Sequence, residues 1–327
     1  MTLIVGALSL GVFLGAGMMG VLSPFQADKS EEQPSGREGT FRYIRTVVEP
    51  RDARTKATPE MKPFRYKVND LIQEKVKNGD ASSVSVYFRD LNNGNWIGIG
   101  ERETFSPKSL LKLPLMIAYF KWAEANPLVL RKSLTYVRKD AATEQAAPVK
   151  TELVLGNSYT VNDLIYRMIT RDDGEAFVLL SANIPKARLD RVFKDLNVEY
   201  DPHQDDDSLS LRGFAAFYRV LFNASYLNEE LSEKALRYLA KSSLKRGMAS
   251  AIPMNVEIAG KYGERTVTVS EGGQKIVLNQ LHEFGIVYHP RRPFLLGVMV
   301  RGEDPANLEQ TIRDITRIVY EEVDSQS

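Results

Sequence analysis

The chain has 327 residues, 43% hydrophobic and 26% charged, with a formal net charge of +1. Near-neutral charge without a basic patch interleaved with aromatics points away from nucleic acid. Three histidines (His203, His282 and His289) and no cysteine leave little material for a zinc site or a thiol nucleophile, so no metal or cofactor is implied.

Leu3 to Leu22 is an uncharged apolar run of 20 residues, about 30 Å long as a helix. No Lys or Arg precedes it and no clear small-x-small site follows, which favours an uncleaved membrane anchor over a signal peptide. Three parts are expected: an anchor or signal segment over 1–25, a polar tether over 26–64 and one main domain over 65–323. The domain is expected on the extracytoplasmic side, although the charge flanks are too sparse to fix orientation.

Within the domain, Arg65–Val76 has helical spacing closed by Asn78-Gly79. Ser83–Arg89 alternates like a strand, Leu91–Asn95 turns and Trp96–Ile99 returns, making a hairpin. Gly94, Gly98 and Gly100 fall on this hairpin and not before a helix, so they are no phosphate loop.

The hairpin leads into Phe105-Ser106-Pro107-Lys108-Ser109-Leu110-Leu111-Lys112-Leu113-Pro114. Ser106 is expected as an N-cap with Pro107 in the first helical position, and Pro114 is expected to bend the helix. Ser109 and Lys112 stand three apart on one helical face. A serine hydroxyl is a poor nucleophile until a base takes its proton, and a lysine held neutral by burial or by cationic neighbours can be that base. S-x-x-K also opens ordinary amphipathic helices, and Ser242-Ser243-Leu244-Lys245 repeats the pattern, so the tetrapeptide alone decides nothing.

Helices are expected over Val161–Thr170, Ala176–Ala182, Lys186–Leu196, Leu211–Ala224 and Glu229–Lys241. Asp205-Asp206-Asp207 reads as a solvated loop. Strands are expected over Val256–Lys261, Thr266–Val269, Lys275–Leu278, Glu283–Tyr288 and Phe294–Arg301, followed by a helix over Pro305–Val323. This order implies an α+β fold, with an antiparallel sheet built from both ends of the domain and an all-helical lobe.

Two further segments fall where a catalytic cleft needs them. Thr170-Arg171-Asp172-Asp173-Gly174 lies in the helical block, and Lys261-Tyr262-Gly263 ends a strand. With the serine helix they follow the order S-x-x-K, S-D-N, K-T-G of penicillin-recognising serine enzymes. Ser242 fails this test, because no hairpin precedes it and it follows the middle segment. Over about 65–323 the chain resembles the class A β-lactamase and penicillin-binding D,D-peptidase superfamily, as a divergent member. The resemblance rests on Phe105–Pro114, Met168–Ala176 and Ile258–Glu264, with Leu209–Ala215 and the last two strands in matching places.

That resemblance implies Ser109 as nucleophile, Lys112 as its base or proton relay, and Lys261 as an electrostatic anchor for a substrate carboxylate. It implies an oxyanion hole from the backbone N–H groups of Ser109 and Glu264. Asp173, Tyr262, Gly263 and Glu264 take substrate-binding positions, with Arg265 as a replacement donor. The departures are specific. Asp172 stands where the family has serine, Gly174 where it has asparagine, and Tyr262 where it has threonine. Asp172 is a candidate to replace the missing relay as a carboxylic acid.

No E-x-x-L-N lies between Gly174 and Leu209 to supply the deacylating glutamate. Glu199 and Asp205–Asp207 are the nearby carboxylates, without the right neighbours. The implied activity is acyl transfer through an acyl-serine from a β-lactam or a D-Ala-D-Ala-type cell-wall peptide amide, a small-molecule or peptide partner. The alternative is a non-catalytic binding module on the same fold.

Overall fold

The computed structural model describes residues 41–45, 61–137, 151–200, 209–242, 247–271 and 274–326. The apolar run Leu3–Leu22 and the acidic triplet Asp205–Asp207 lie outside the described residues. Among the described residues no helix is long and apolar enough to cross a membrane.

Helix α1 (Met61–Lys77) precedes strands β1 (Ser83–Asp90) and β2 (Trp96–Ile99). A short β3 (Thr104–Phe105) enters a 3-10 turn, Lys108–Leu111, which runs on as α2 (Lys112–Ala125). Then come β4 (Ser133–Thr135), β5 (Ser158–Thr160), α3 (Val161–Thr170), α4 (Gly174–Asn183), α5 (Lys186–Asp195), β6 (Leu209–Ser210), α6 (Leu211–Phe222) and α7 (Glu229–Ala240). The short α8 (Gly247–Ser250), strands β7 (Ile258–Glu271), β8 (Gln274–Val287) and β9 (Phe294–Gly302), and α9 (Pro305–Ser325) complete the order.

The helices begin where the sequence places them because local capping groups start them. Side chains of Thr160, Ser210 and Asn228 accept the N–H of Asp163, Gly213 and Leu231 at 3.1, 3.0 and 2.9 Å. Each uses an oxygen three residues upstream, a relation visible in any sequence.

The main sheet is antiparallel in the order β2-β1-β9-β8-β7, so the first hairpin and the last three strands share one layer. The expected fold class is therefore the observed one. β7 and β8 pair without a break from Ile258↔Val287 to Glu271↔Gln274. The sequence reading splits each into two strands, at Tyr262–Arg265 and at Asn279–His282. Each strand tolerates that polar stretch because the other supplies its backbone partners throughout.

Strand pleating divides the core between the two faces of the sheet. Val84, Val86, Leu296, Val298 and Val300 pack with Val68 of α1 and with Leu308, Ile312 and Val319 of α9. Ala259, Phe284, Ile286, Leu295 and Met299 face the helical lobe, whose centre is α2. A Cβ on Gly297 would lie 2.3 Å from the Phe284 ring, so only glycine lets that ring cross β9.

Residues 41–45, part of the expected tether, lie against the domain. The N–H groups of Arg42, Tyr43 and Ile44 donate to the carboxylate of Glu233 at 3.1, 2.8 and 3.2 Å. The Tyr288 hydroxyl donates to the Tyr43 carbonyl at 3.0 Å.

Candidate active site

Ser109 stands half-buried in the 3-10 turn that precedes α2. The expected cap is corrected here: Pro107 occupies the flanking position, and no side chain caps the turn. Ser106 is buried, and its N–H donates to Gln280 Oε1 at 3.2 Å, which fastens the start of the turn to β8. Because α2 proper begins only at Lys112, Pro114 falls in its first turn, where no intrahelical N–H partner is needed. α2 is apolar nearly all round because it runs through the helical lobe, with Leu113 to Phe120 buried on every side.

Asp172 occupies the corner between α3 and α4 with a φ of 57°, a conformation aspartate tolerates better than most residues. Its neighbours hold the corner. Asp173 caps α4 by accepting the Ala176 N–H at 2.9 Å through Oδ1. Its Oδ2 accepts from Thr151 Oγ1 at 3.0 Å and from the Glu152 N–H at 3.3 Å. Arg171 pairs with Glu152 across the same corner. Asp173 is only 2% exposed and both its oxygens are engaged, so it braces the loop. One residue beyond Asp172 along the chain, this carboxylate turns into the protein.

The corner aims Asp172 between the two lysines of the other motifs. Lys112 Nζ donates to Asp172 Oδ1 at 2.7 Å and to the Asp172 carbonyl at 2.8 Å. Lys261 Nζ donates to the same Oδ1 at 2.5 Å. The Lys112 side chain is 6% exposed, that of Lys261 0% and that of Asp172 25%. Burial drives Lys261 down to about 8, assisted by the neighbouring Lys112 charge and opposed by Asp172. Three side chains from three separate elements thus form a cation–carboxylate–cation cluster beside the serine turn. Among the described residues no hydrogen bond joins Lys112 to Ser109.

Among the described residues β7 is the sheet's edge strand, so one side of its backbone has no strand partner there. Gly263 lies close against the serine turn. A Cβ there would come within 3.1 Å of Leu110 Cγ and 3.6 Å of the Pro107 carbonyl oxygen. Glycine is what lets β7 approach Ser109.

Pleating sends Tyr262 the other way. It is 3% exposed, packs with the core on the α1 and α9 face, and donates its hydroxyl to Glu264 Oε2 at 2.6 Å. Period-2 alternation carries the Tyr262 side chain to the face opposite Lys261. The exposed Glu264 side chain follows it. Both line a cavity of about 300 Å³ with Thr266, Asn279, Pro305 and Glu309. Arg265 returns to the Lys261 side of the strand, opposite Gln280.

The comparisons agree with this architecture. A family model described as the beta-lactamase enzyme family matches residues 63–323. The chain belongs to that family. A solved structure of PBP-A matches with a TM-score of 0.65 at 18% identity, over 88% of this chain and 100% of that one. A PBP-A variant in an acyl-enzyme complex with penicillin G matches with a TM-score of 0.66 at 18% identity, over 81% and 97%. A beta-lactamase from Chitinophaga pinensis matches with a TM-score of 0.67 at 17% identity, over 80% and 99%. A search of curated proteins found no match.

Within this beta-lactamase family member, no described carboxylate stands out as a deacylating base. Glu199 lines a groove of about 390 Å³ along α5 with Phe193, Val198 and Tyr200, and shares no hydrogen bond with the lysine cluster. Among the described residues no group of three or more His, Cys, Asp or Glu is placed to hold a metal ion. Sequence reasoning missed Thr151, Glu152 and Gln280, which brace the site from segments with no motif of their own. The pairing of Gln280 with Ser106 spans 174 residues and leaves no local signal.

Proposed function

We propose that this protein is a serine hydrolase that opens an amide, in a β-lactam or a cell-wall peptide, through an acyl-Ser109 intermediate. The observation that carries this reading is the pair of buried lysines converging on Asp172 Oδ1 beside the serine turn. Perturbed, closely coupled ionisable groups at a cleft are what proton transfer requires. In its neutral form Lys112 takes the Ser109 proton while Oγ bonds to the carbonyl carbon. The resulting oxyanion faces the N–H groups of Ser109 and Glu264. When the C–N bond breaks, the proton passes by way of Lys112 and Asp172 to the leaving nitrogen. Water then cleaves the ester slowly, since no glutamate in the expected sequence context is present to activate it.

The apolar run Leu3–Leu22 supports an extracytoplasmic, membrane-anchored placement, which suits a cell-wall substrate. One observation favours the second reading, a non-catalytic binding module: Lys112 is committed to Asp172 and not to Ser109. Intact-mass spectrometry after incubation with a fluorescent penicillin separates the two. The hydrolase reading expects an adduct that disappears in Ser109→Ala. A folded protein that gains no adduct and leaves the drug intact sinks it.

A further inference from the structure

We infer that the preferred substrate carries no carboxylate at the position facing Lys261, because Asp172 already places a carboxylate of the protein there. The inference rests on the acyl-serine reading and specifies which acyl donors that site accepts.

The argument is one of charge and space. Lys261 is 1% exposed, and its ammonium lies 2.5 Å from Asp172 Oδ1. Lys112 lies 2.7 Å from that same oxygen. An incoming carboxylate can reach Lys261 only by displacing Asp172 or by settling beside it. Displacement strips Lys112 and Lys261 of the oxygen they share and leaves Lys112 only its bond to the Asp172 carbonyl. The corner also resists movement. It is braced by the cap from Asp173, by Thr151 and Glu152 on Asp173, and by the Arg171–Glu152 pair.

Settling beside Asp172 fails on charge balance. Two ammonium groups match two anions: Asp172 at rest, and the oxyanion that forms when Ser109 attacks. A substrate carboxylate would be a third anion in a poorly solvated site, repelled by both when the barrier is crossed. A neutral group at that position meets no such penalty. The third-motif lysine then serves the enzyme's own carboxylate and the developing oxyanion, and the substrate is recognised by its acyl side and along β7. Substrates of this kind are esters, carboxamides or internal amide bonds.

The test compares benzylpenicillin with its methyl ester on the full-length protein, following the Ser109 adduct by intact mass against time. The two probes share one lactam and differ only in the carboxylate. The expected result is faster acylation by the ester, by about tenfold or more. Asp172→Asn keeps a residue tolerant of positive φ and removes the anion, so it should shift the acid-to-ester rate ratio toward the free acid by a similar factor. Faster acylation of the unmodified protein by the free acid overturns the inference while leaving the acyl-serine reading intact, and makes Arg265 the carboxylate donor to examine. This arm needs no variant, so a folding defect in Asp172→Asn does not blunt it. No adduct from the two probes, with both left intact by the folded protein, overturns both readings together.

Discussion

Asp172 and Glu233 are both carboxylates enclosed by this fold, but they are held by different kinds of donor. Glu233 is 7% exposed and accepts three consecutive backbone N–H groups from the 42–44 segment. Those donors carry no titratable proton and cannot turn away without unfolding the segment. Asp172 has a side chain 25% exposed, and its carboxylate is held by two ammonium groups on long stems, one of them lowered to about 8. Such donors can lose a proton or exchange partners while the backbone stays in place. The backbone clasp is suited to joining two parts of the chain, and the lysine clasp to chemistry.

The comparison breaks most sharply at Lys261. Lys261→Met is expected to slow Ser109 acylation on the order of a thousandfold, as for loss of a main electrostatic group in an active site. Stability should stay level or rise, because an expensive buried cation is gone while Asp172 keeps Lys112. Stopped-flow acylation and a urea melt on one preparation check both halves. Glu233→Ala should do the reverse. Leaving three inward-facing N–H groups without their acceptor should cost about 2–4 kcal/mol in urea unfolding, with acylation per folded molecule unchanged. A large loss of acylation in that variant would mean that the two clasps are coupled.

The pH dependence separates the two sites further. Lys261 is lowered from 10.5 to about 8, so between those values the unfolded chain holds a proton that the folded chain has released. Stability should therefore rise with pH across that window, and Lys261→Met should flatten the rise. Acylation by a neutral probe should fall as pH passes about 8, where Lys261 gives up the charge that faces Asp172 and the developing oxyanion. A flat rate profile from pH 6 to 9 would remove the Lys261 charge from the acylation step.

Two smaller effects test the geometry of β7. Gly263→Ala places a methyl 3.1 Å from Leu110 Cγ, and the shift this forces on the serine turn should slow acylation about tenfold. Tyr262→Phe should cost about 1 kcal/mol of stability through loss of the Glu264 bond, and change acylation less than about twofold. A larger kinetic effect would return Tyr262 to the cleft.

Much of the fold could be read from the chain alone. α3 runs over Val161–Thr170 as its spacing predicts, and α5, α6 and α7 agree to within two residues. Caps and apolar periodicity act over three or four residues and leave their mark locally. β4 and β5, three residues each, were not legible, because a strand that short exists only through its partner. Ser109, Lys112 and Lys261 stand out as spaced motifs in a fixed order, and the structure sets the two lysines on one Asp172 oxygen.

What the sequence by itself determined, then, is the succession of elements, the all-antiparallel α+β class and the placing of Ser109, Lys112, Asp172 and Lys261 on three of those elements. The tertiary structure alone decided what each side chain meets. It turned Asp173 into a cap and sent Tyr262 to the far face of the sheet. It joined Asp172 to Lys112 across 60 residues and to Lys261 across 89, and bound Tyr43 to Glu233 across 190. Hydrogen bonds between distant segments depend on how the layers pack, and packing has no period along the chain.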